Sequence, residues 1–280
     1  TSAGSTPYEE ADFGIANVII GGNDSVVINN NDQKASILKI KSGSVLDINS
    51  TTSHLITRIE GGGKFRTSTS NIPPADFGDF VSNDTAIFEY YGGSYNIDGY
   101  LDEYPNLWIS GDGGTVKTLP AQDILVNQSL LAGDVANTGD VLQMSQDGDL
   151  EILDSLRFRN AGVLQFQSGG TGSNTVRVNK SIDMNYNGAD DANSIEVETG
   201  ASSENPHELI VFNDIITGNG TMNFWTGSAN RAVDLYFRGD TNSVITRPAS
   251  GTDNLALNHL YIEKDALSDT VFMNSDFTLT

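Results

Sequence analysis

Runs of three to six residues that alternate apolar and polar side chains follow one another along the whole chain, their starts mostly seven to eleven residues apart. Asn17 to Ile20, Ser25 to Ile28, Ile37 to Ile40 and Ser44 to Ile48 open the series. Leu156 to Phe158, Val163 to Phe166, Thr175 to Val178 and Leu209 to Phe212 continue it. A period of two places one set of side chains on each face of a strand. Gly, Asn, Asp and Ser fill the gaps between runs. Gly and Asn tolerate positive φ, and Asp and Ser bond back to their own backbone, so the gaps read as turns. Nothing carries the 3.6-residue period of a long amphipathic helix. The chain is read as all-β.

Two architectures accept many short strands at this spacing: the stacked coils of a parallel β-helix (a β-solenoid), or tandem β-sandwich domains. The β-helix is favoured, because the turns are short, as at Lys41-Ser42-Gly43. A segment also returns 153 residues after itself. Asn106-Leu107-Trp108-Ile109, then Asp112 and Asp123-Ile124, match His259-Leu260-Tyr261-Ile262, then Asp265 and Asp276-Phe277. About seven coils of ~22 residues span that offset, an awkward size for sandwiches of ~100 residues. The Asn29-Asn30-Asn31 tract suits stacked turns, where side-chain amides form ladders. We expect one continuous β-helix of about eleven coils over residues 15–280, after a tail or cap at 1–14. Two stretches break the rhythm, 67–84 and 95–105, and are expected to be lateral loops that carry function.

Fifteen basic residues stand against 37 acidic ones, a net charge of −22. That balance repels phosphate backbones and anionic lipid surfaces, so no nucleic acid is expected as a partner. No apolar run approaches the ~20 residues of a membrane helix, so no direct membrane insertion is expected. Cysteine is absent, which removes disulfides, thiolate metal sites and thiol nucleophiles. The chain reads as a processed or excised piece of something longer.

The stretch Phe88-Glu89-Tyr90-Tyr91-Gly92-Gly93-Ser94-Tyr95-Asn96-Ile97 leads into Tyr104-Pro105-Asn106-Leu107-Trp108-Ile109. Thr115-Val116-Lys117-Thr118-Leu119 and Asp123-Ile124-Leu125-Val126-Asn127 follow. This order resembles a repeat of very large surface adhesins of gliding and biofilm-forming bacteria, exported by the type 9 secretion pathway. The resemblance implies a right-handed β-helix, an extracellular or cell-surface location, and an adhesive or structural role. It implies as partners the remainder of a larger surface protein and a carbohydrate or another cell surface. It offers no catalytic residues, and we expect no enzyme activity.

Three kinds of site are read from the residues. Asp183, Asn185, Asn187 and Asp191 place oxygen ligands around Gly188 like the start of a calcium loop, so calcium is the one metal cofactor considered. The twelfth position of that loop is Ser194, not the bidentate Glu. Tyr95, Tyr100 and Tyr104 with Asp102, Glu103, Phe77 and Phe80 combine flat rings with acids, the chemistry that holds sugars; packing along the coils accounts for the same rings. Ser25, Thr85, Ser155 and Thr270 each follow an Asp and precede an apolar residue, which resembles the surface O-glycosylation acceptor of the same bacteria. A polysaccharide lyase or hydrolase is the rival reading, and would use acids such as Asp98, Asp102, Glu103, Asp190 and Asp191 on one face. An array of calcium-dependent sandwich modules is the other. His54, His207 and His259 lie far apart in sequence and share no pattern.

Overall fold

The computed structural model describes the chain apart from residues 1–16, 135, 146, 168–171, 187–191, 199–205, 226–231, 247–254, 275–277 and 280. The expected tail or cap at 1–14 lies outside the described residues. Short strands that cannot bury a face alone do so here by stacking. They form one eleven-stranded, one eight-stranded, one seven-stranded and one three-stranded sheet. The ladders run parallel, for example Leu107 beside Leu130, Val116 beside Val141 and Ile124 beside Leu150. The one antiparallel bridge among the described residues joins Trp225 and Ala232. Tandem sandwiches would need antiparallel hairpins throughout, so the parallel β-helix holds.

From Tyr95 onward each coil visits three sheets in turn. Asn106–Ile109 lies in the eleven-stranded sheet, Val116–Thr118 in the eight-stranded and Ile124–Val126 in the seven-stranded. Leu130–Ala132 then returns to the first, one step along the axis. Before Tyr95 the coils are simpler, alternating between the three-stranded and the eleven-stranded sheet. Eleven strands at ~4.8 Å make that sheet roughly 50 Å long.

The alternation seen in the sequence sets the burial. Leu46, Phe65, Phe88, Leu107, Leu130, Leu156, Ile182, Ile215 and Ile245 are successive register partners. None is more than 2% exposed. They belong to one hydrophobic cluster that runs from Ile20 to Leu257. At about 25 cal/mol per Å² of apolar area, such a column is the main stabilising term of the rod.

The repeated segment is not a repeat in space. Leu107 lies in the eleven-stranded sheet, but Leu260 lies in the seven-stranded sheet beside Leu235. The cause is coil length. The coil that carries Val45 to its register partner Lys64 is short, whereas the one that carries Ile182 to Ile215 is much longer. Six steps along the sheet from Leu107 end at Met273, not at Leu260. The two copies share a residue spacing but form strands of different length, Asn106–Ile109 against His259–Lys264, on different faces.

The two expected loops also differ from expectation. Within 67–84, Asp76 adds a parallel bridge to Arg58 at the edge of the three-stranded sheet. The one-turn helix Gly78–Val81 follows, and Asn127 Nδ2 donates to the Val81 carbonyl from the seven-stranded side (3.3 Å). Ala75, Phe77, Phe80 and Val81 are buried in the core, so this segment plugs the junction of two sheets. Within 95–105, Tyr95–Asn96 begins the eight-stranded sheet and Glu103–Tyr104 the seven-stranded one. Strands of two residues are too short to show an alternation, which is why the stretch read as a loop.

An amide ladder exists, though not at the Asn29 tract alone. Asn31 Oδ1 accepts the Thr52 amide one coil on (2.9 Å). A longer ladder crosses the outer face of the eight-stranded sheet. Thr118 Oγ1 donates to Gln143 Oε1 (3.1 Å), Gln143 Nε2 to Gln165 Oε1 (2.8 Å) and Gln165 Nε2 to Glu196 Oε1 (3.0 Å). Gln165→Ala breaks two rungs that water can replace, so a loss of about 1 kcal/mol is expected in a urea melt. A loss several times larger would mean the ladder is shielded from solvent.

Each histidine stands where chain enters a strand, His54 in the three-stranded sheet and His207 and His259 in the seven-stranded one. His54 precedes Leu55–Glu60, and His207 and His259 begin their strands. Nδ1 of His54 accepts the Gln33 amide (3.2 Å) and Nδ1 of His207 the Asn174 amide (3.0 Å), each one coil back. His259 Nδ1 lies 2.9 Å from Asp234 Oδ1.

Candidate functional site

Side chains of opposite parity to the core column form the outer face of the eleven-stranded sheet. Asp47, Arg66, Glu89, Trp108, Leu131, Arg157 and Asp183 succeed one another there in register. Around Trp108 this face is hollowed into a groove of about 440 Å³, within the roughly 300–1,000 Å³ of small-molecule sites. Lys64, Arg66, Glu89, Tyr91 and Ser110 line one part of it, and Asp112, Asp134, Asn137 and Arg159 another.

The sheet fixes these groups closely. Glu89 is only 6% exposed. Its Oε1 accepts the Ser110 hydroxyl (2.8 Å), and its Oε2 lies 3.0 Å from Lys64 Nζ and 3.7 Å from Arg66 Nε. Neither Glu89 Oε2 nor Arg66 Nε has a hydrogen bond of sound geometry, although both atoms are buried. Lys64 Nζ stands 3.9 Å over the Trp108 ring, and the Arg66 guanidinium 3.9 Å over the Tyr91 ring. The Tyr91 hydroxyl donates to Asp47 Oδ1 (2.8 Å). Burial first, and then the Asp47 hydrogen bond and charge, push the Tyr91 hydroxyl up to about 12.

Beside the groove lies a buried charge network. Lys117, fully buried, donates to the Gly92 carbonyl and to Thr115 Oγ1, and Thr115 Oγ1 donates to Asp140 Oδ1 (2.9 Å). Burial draws the Lys117 ammonium down to about 8, against the opposing pull of Asp140 and Asp112. Gly111, at the groove's edge, sits so close that a Cβ there would meet Thr115 Oγ1 at 1.9 Å.

The residues expected to hold a sugar are not assembled into one surface. Phe77, Phe80 and Tyr104 are at most 3% exposed, so their rings pack in the core and are closed to a ligand. Strand alternation and the plug at 67–84 turn them inward. The Tyr104 hydroxyl lies 3.1 Å from the Tyr90 hydroxyl, inside the coil. Tyr95 is half-buried and donates to the Tyr91 carbonyl (3.1 Å). Tyr100 is 48% exposed and donates to the Ala75 carbonyl (3.1 Å). Asp102 and Glu103 are exposed and line a second hollow of about 410 Å³ with Asp123, Asp149 and Glu151. Four of those five acids are engaged: Glu103 with Asn127 (2.8 Å), Glu151 with Arg177 (3.3 Å), and Asp123 and Asp149 with backbone amides.

Of the expected calcium ligands, Asn187 and Asp191 lie outside the described residues, as does Asp190. Asp183 Oδ1 accepts the Asn185 amide (3.0 Å), a local turn. No trio of acidic or histidine ligands gathers among the described residues. The four Asp-Ser/Thr positions are spread along the eleven-stranded sheet but share one place in the coil, which the sequence did not show. Ser25, Thr85, Ser155 and Thr270 all lie where the chain enters the eleven-stranded sheet. Thr85 and Thr270 donate there to Asn83 (2.9 Å) and Asn242 (3.1 Å).

Lys64, Arg66 and Glu89 were not singled out from the sequence. Their signal was the outward parity of Lys64-Phe65-Arg66 and Phe88-Glu89-Tyr90, usable only once the coil register is known. No protein-family model matches the chain, and no curated protein or solved structure matches it.

Proposed function

We propose that this chain is a stiff β-helical rod within a larger secreted or cell-surface protein, with an adhesive or structural role. The observation that carries this reading is the unbroken core column under the eleven-stranded sheet. Each coil grips its neighbours, so load passes along the axis through stacked parallel ladders. The net charge of −22 suits a solvated exterior surface. The core under the seven-stranded sheet is open at one end. Val211 and Phe237 are fully buried, but Ile262, next in register, is 53% exposed. On this reading the four corner hydroxyls at Ser25, Thr85, Ser155 and Thr270 would carry surface glycans in a line along the rod.

Beads coated with the purified chain are expected to attach to polysaccharide-coated or cell surfaces. The same protein, incubated with a polysaccharide panel, is expected to release no reducing ends. Steady release of reducing ends would replace this reading by the lyase or hydrolase one. Failure to attach to any surface would leave the rod without an adhesive role.

A further inference from the structure

The groove around Trp108 holds two buried polar atoms that meet the protein only as ion-pair partners: Glu89 Oε2, which can only accept and lies 3.0 Å from Lys64 Nζ, and Arg66 Nε, which can only donate and has no hydrogen bond of its own. They lie 3.7 Å apart. Buried polar groups are nearly always paired, and leaving one unpaired is costly. The group that satisfies both at once must donate to a carboxylate and accept from a guanidinium, which is what a hydroxyl does. Rings and an aliphatic side chain lie alongside: Trp108, Tyr91 and Leu131. They offer apolar area to the C–H face of a sugar ring. Three cations line the groove, Lys64, Arg66 and Arg159, and the first two are already matched to acids. Lys64 and Arg66 face Glu89, and Arg66 also lies 3.6 Å from Asp47. Asp112 and Asp134 add negative charge at the far side, so an anionic chain gains no net attraction.

We propose that this groove is a binding site for a neutral saccharide, one hydroxyl of which bridges Glu89 and Arg66. The Lys64 ammonium, on its flexible stem, covers the pair and lifts from the Trp108 ring as the sugar enters. The site goes beyond the rod reading: a rod with no adhesive role could still hold it.

The test uses Trp108 as its own reporter. The chain has two tryptophans, so Trp225→Phe leaves a single indole. Cellotetraose, mannotetraose, chitotetraose and a 1,4-linked uronate tetrasaccharide are titrated while its fluorescence is followed. At least one neutral tetrasaccharide is expected to shift the emission with saturation, at least tenfold tighter than the uronate. Glu89→Gln, which keeps the shape, and Arg66→Met are each expected to weaken binding tenfold or more with unchanged circular dichroism. Tyr100→Ala, outside the groove, is expected to bind as the parent does. Unchanged affinity in both Glu89→Gln and Arg66→Met would overturn the bridging role. Tighter binding of the uronate would overturn the ligand class. No saturable shift with any of the four would overturn the site.

Discussion

Phe88→Ala is expected to lower stability by about 3–5 kcal/mol, the range for deleting a fully buried aromatic side chain. Phe88 has no exposed surface. It is the centre of an aromatic cluster, with ring centroids 4.9 Å from Phe65, 4.9 Å from Tyr90, 5.4 Å from Tyr104 and 6.0 Å from Phe77. Phe77 comes from the plug segment and Tyr104 from the first strand of the seven-stranded sheet. Phe88 therefore joins the two-sheet coils before it to the three-sheet coils after it. Truncation leaves a cavity that several rings cannot all collapse into. Because coils contact only their neighbours, the damage stays near residues 65–109, and hydrogen exchange there is expected to rise far more than around Leu209. Tyr100→Ala, at an exposed ring, serves as the control and is expected to cost under ~1 kcal/mol. A Phe88→Ala urea transition within about 1 kcal/mol of the parent would mean that the core is not continuous at this junction.

Acidification is expected to destabilise the fold through its buried histidines, His207 above all. Burial, partly offset by the Gln167 backbone, holds the His207 imidazole down to about 4 from its ordinary 6.5. Its Nδ1 must stay unprotonated to accept the Asn174 amide (3.0 Å). Above pH 6.5 both folded and unfolded chains are neutral at this residue, and its contribution is constant. Between 6.5 and 4 the unfolded chain binds a proton that the folded chain does not, so stability falls as pH falls. Below about 4 both are protonated and the loss levels off at about 3 kcal/mol, of which about 2 kcal/mol is already gone at pH 5. His54 is shifted in the same direction, again chiefly by burial, and adds to the loss in the same window. Protonation of the carboxylates relieves the net charge of −22 and acts the other way. It sets in mainly near pH 4, so the range from 7.5 to 5 isolates the histidines. Denaturant melts at those two pH values are expected to differ by about 2 kcal/mol more in the parent than in His207→Gln. Equal pH dependence in the two proteins would rule out His207 as the source.

Much of the fold was legible from one property. Period-two alternation named the strands and told which side chain of each faces inward, because in a stacked coil one face is dry. Leu107, Leu130 and Leu156 follow from that alone, whereas the choice of stacked coils over sandwiches rested on the short turns, because both architectures accept the alternation. The site was much less legible. Tyr104, Phe77 and Phe80 looked available because they neighbour acids and glycines, but neighbours in sequence do not report which way a two-residue strand or a one-turn helix points. Arg66, Glu89 and Trp108 each lie a full coil from the next along the chain, and only the coil register makes them neighbours.

The amino-acid sequence determined the local period, the turn positions and the inward parity, since these depend on each residue and its immediate neighbours. The tertiary structure decided the phase. Coils of unequal length, short from Val45 to Lys64 and long from Ile182 to Ile215, carry identical motifs to different faces. Leu107 and Leu260 therefore parted company, while His207 and His259 came to begin strands of one sheet. Loop closure costs only about 0.6 kcal/mol for each doubling of loop length. A coil can therefore lengthen cheaply without disturbing the ladder, and nothing local in the chain records where its next strand lands.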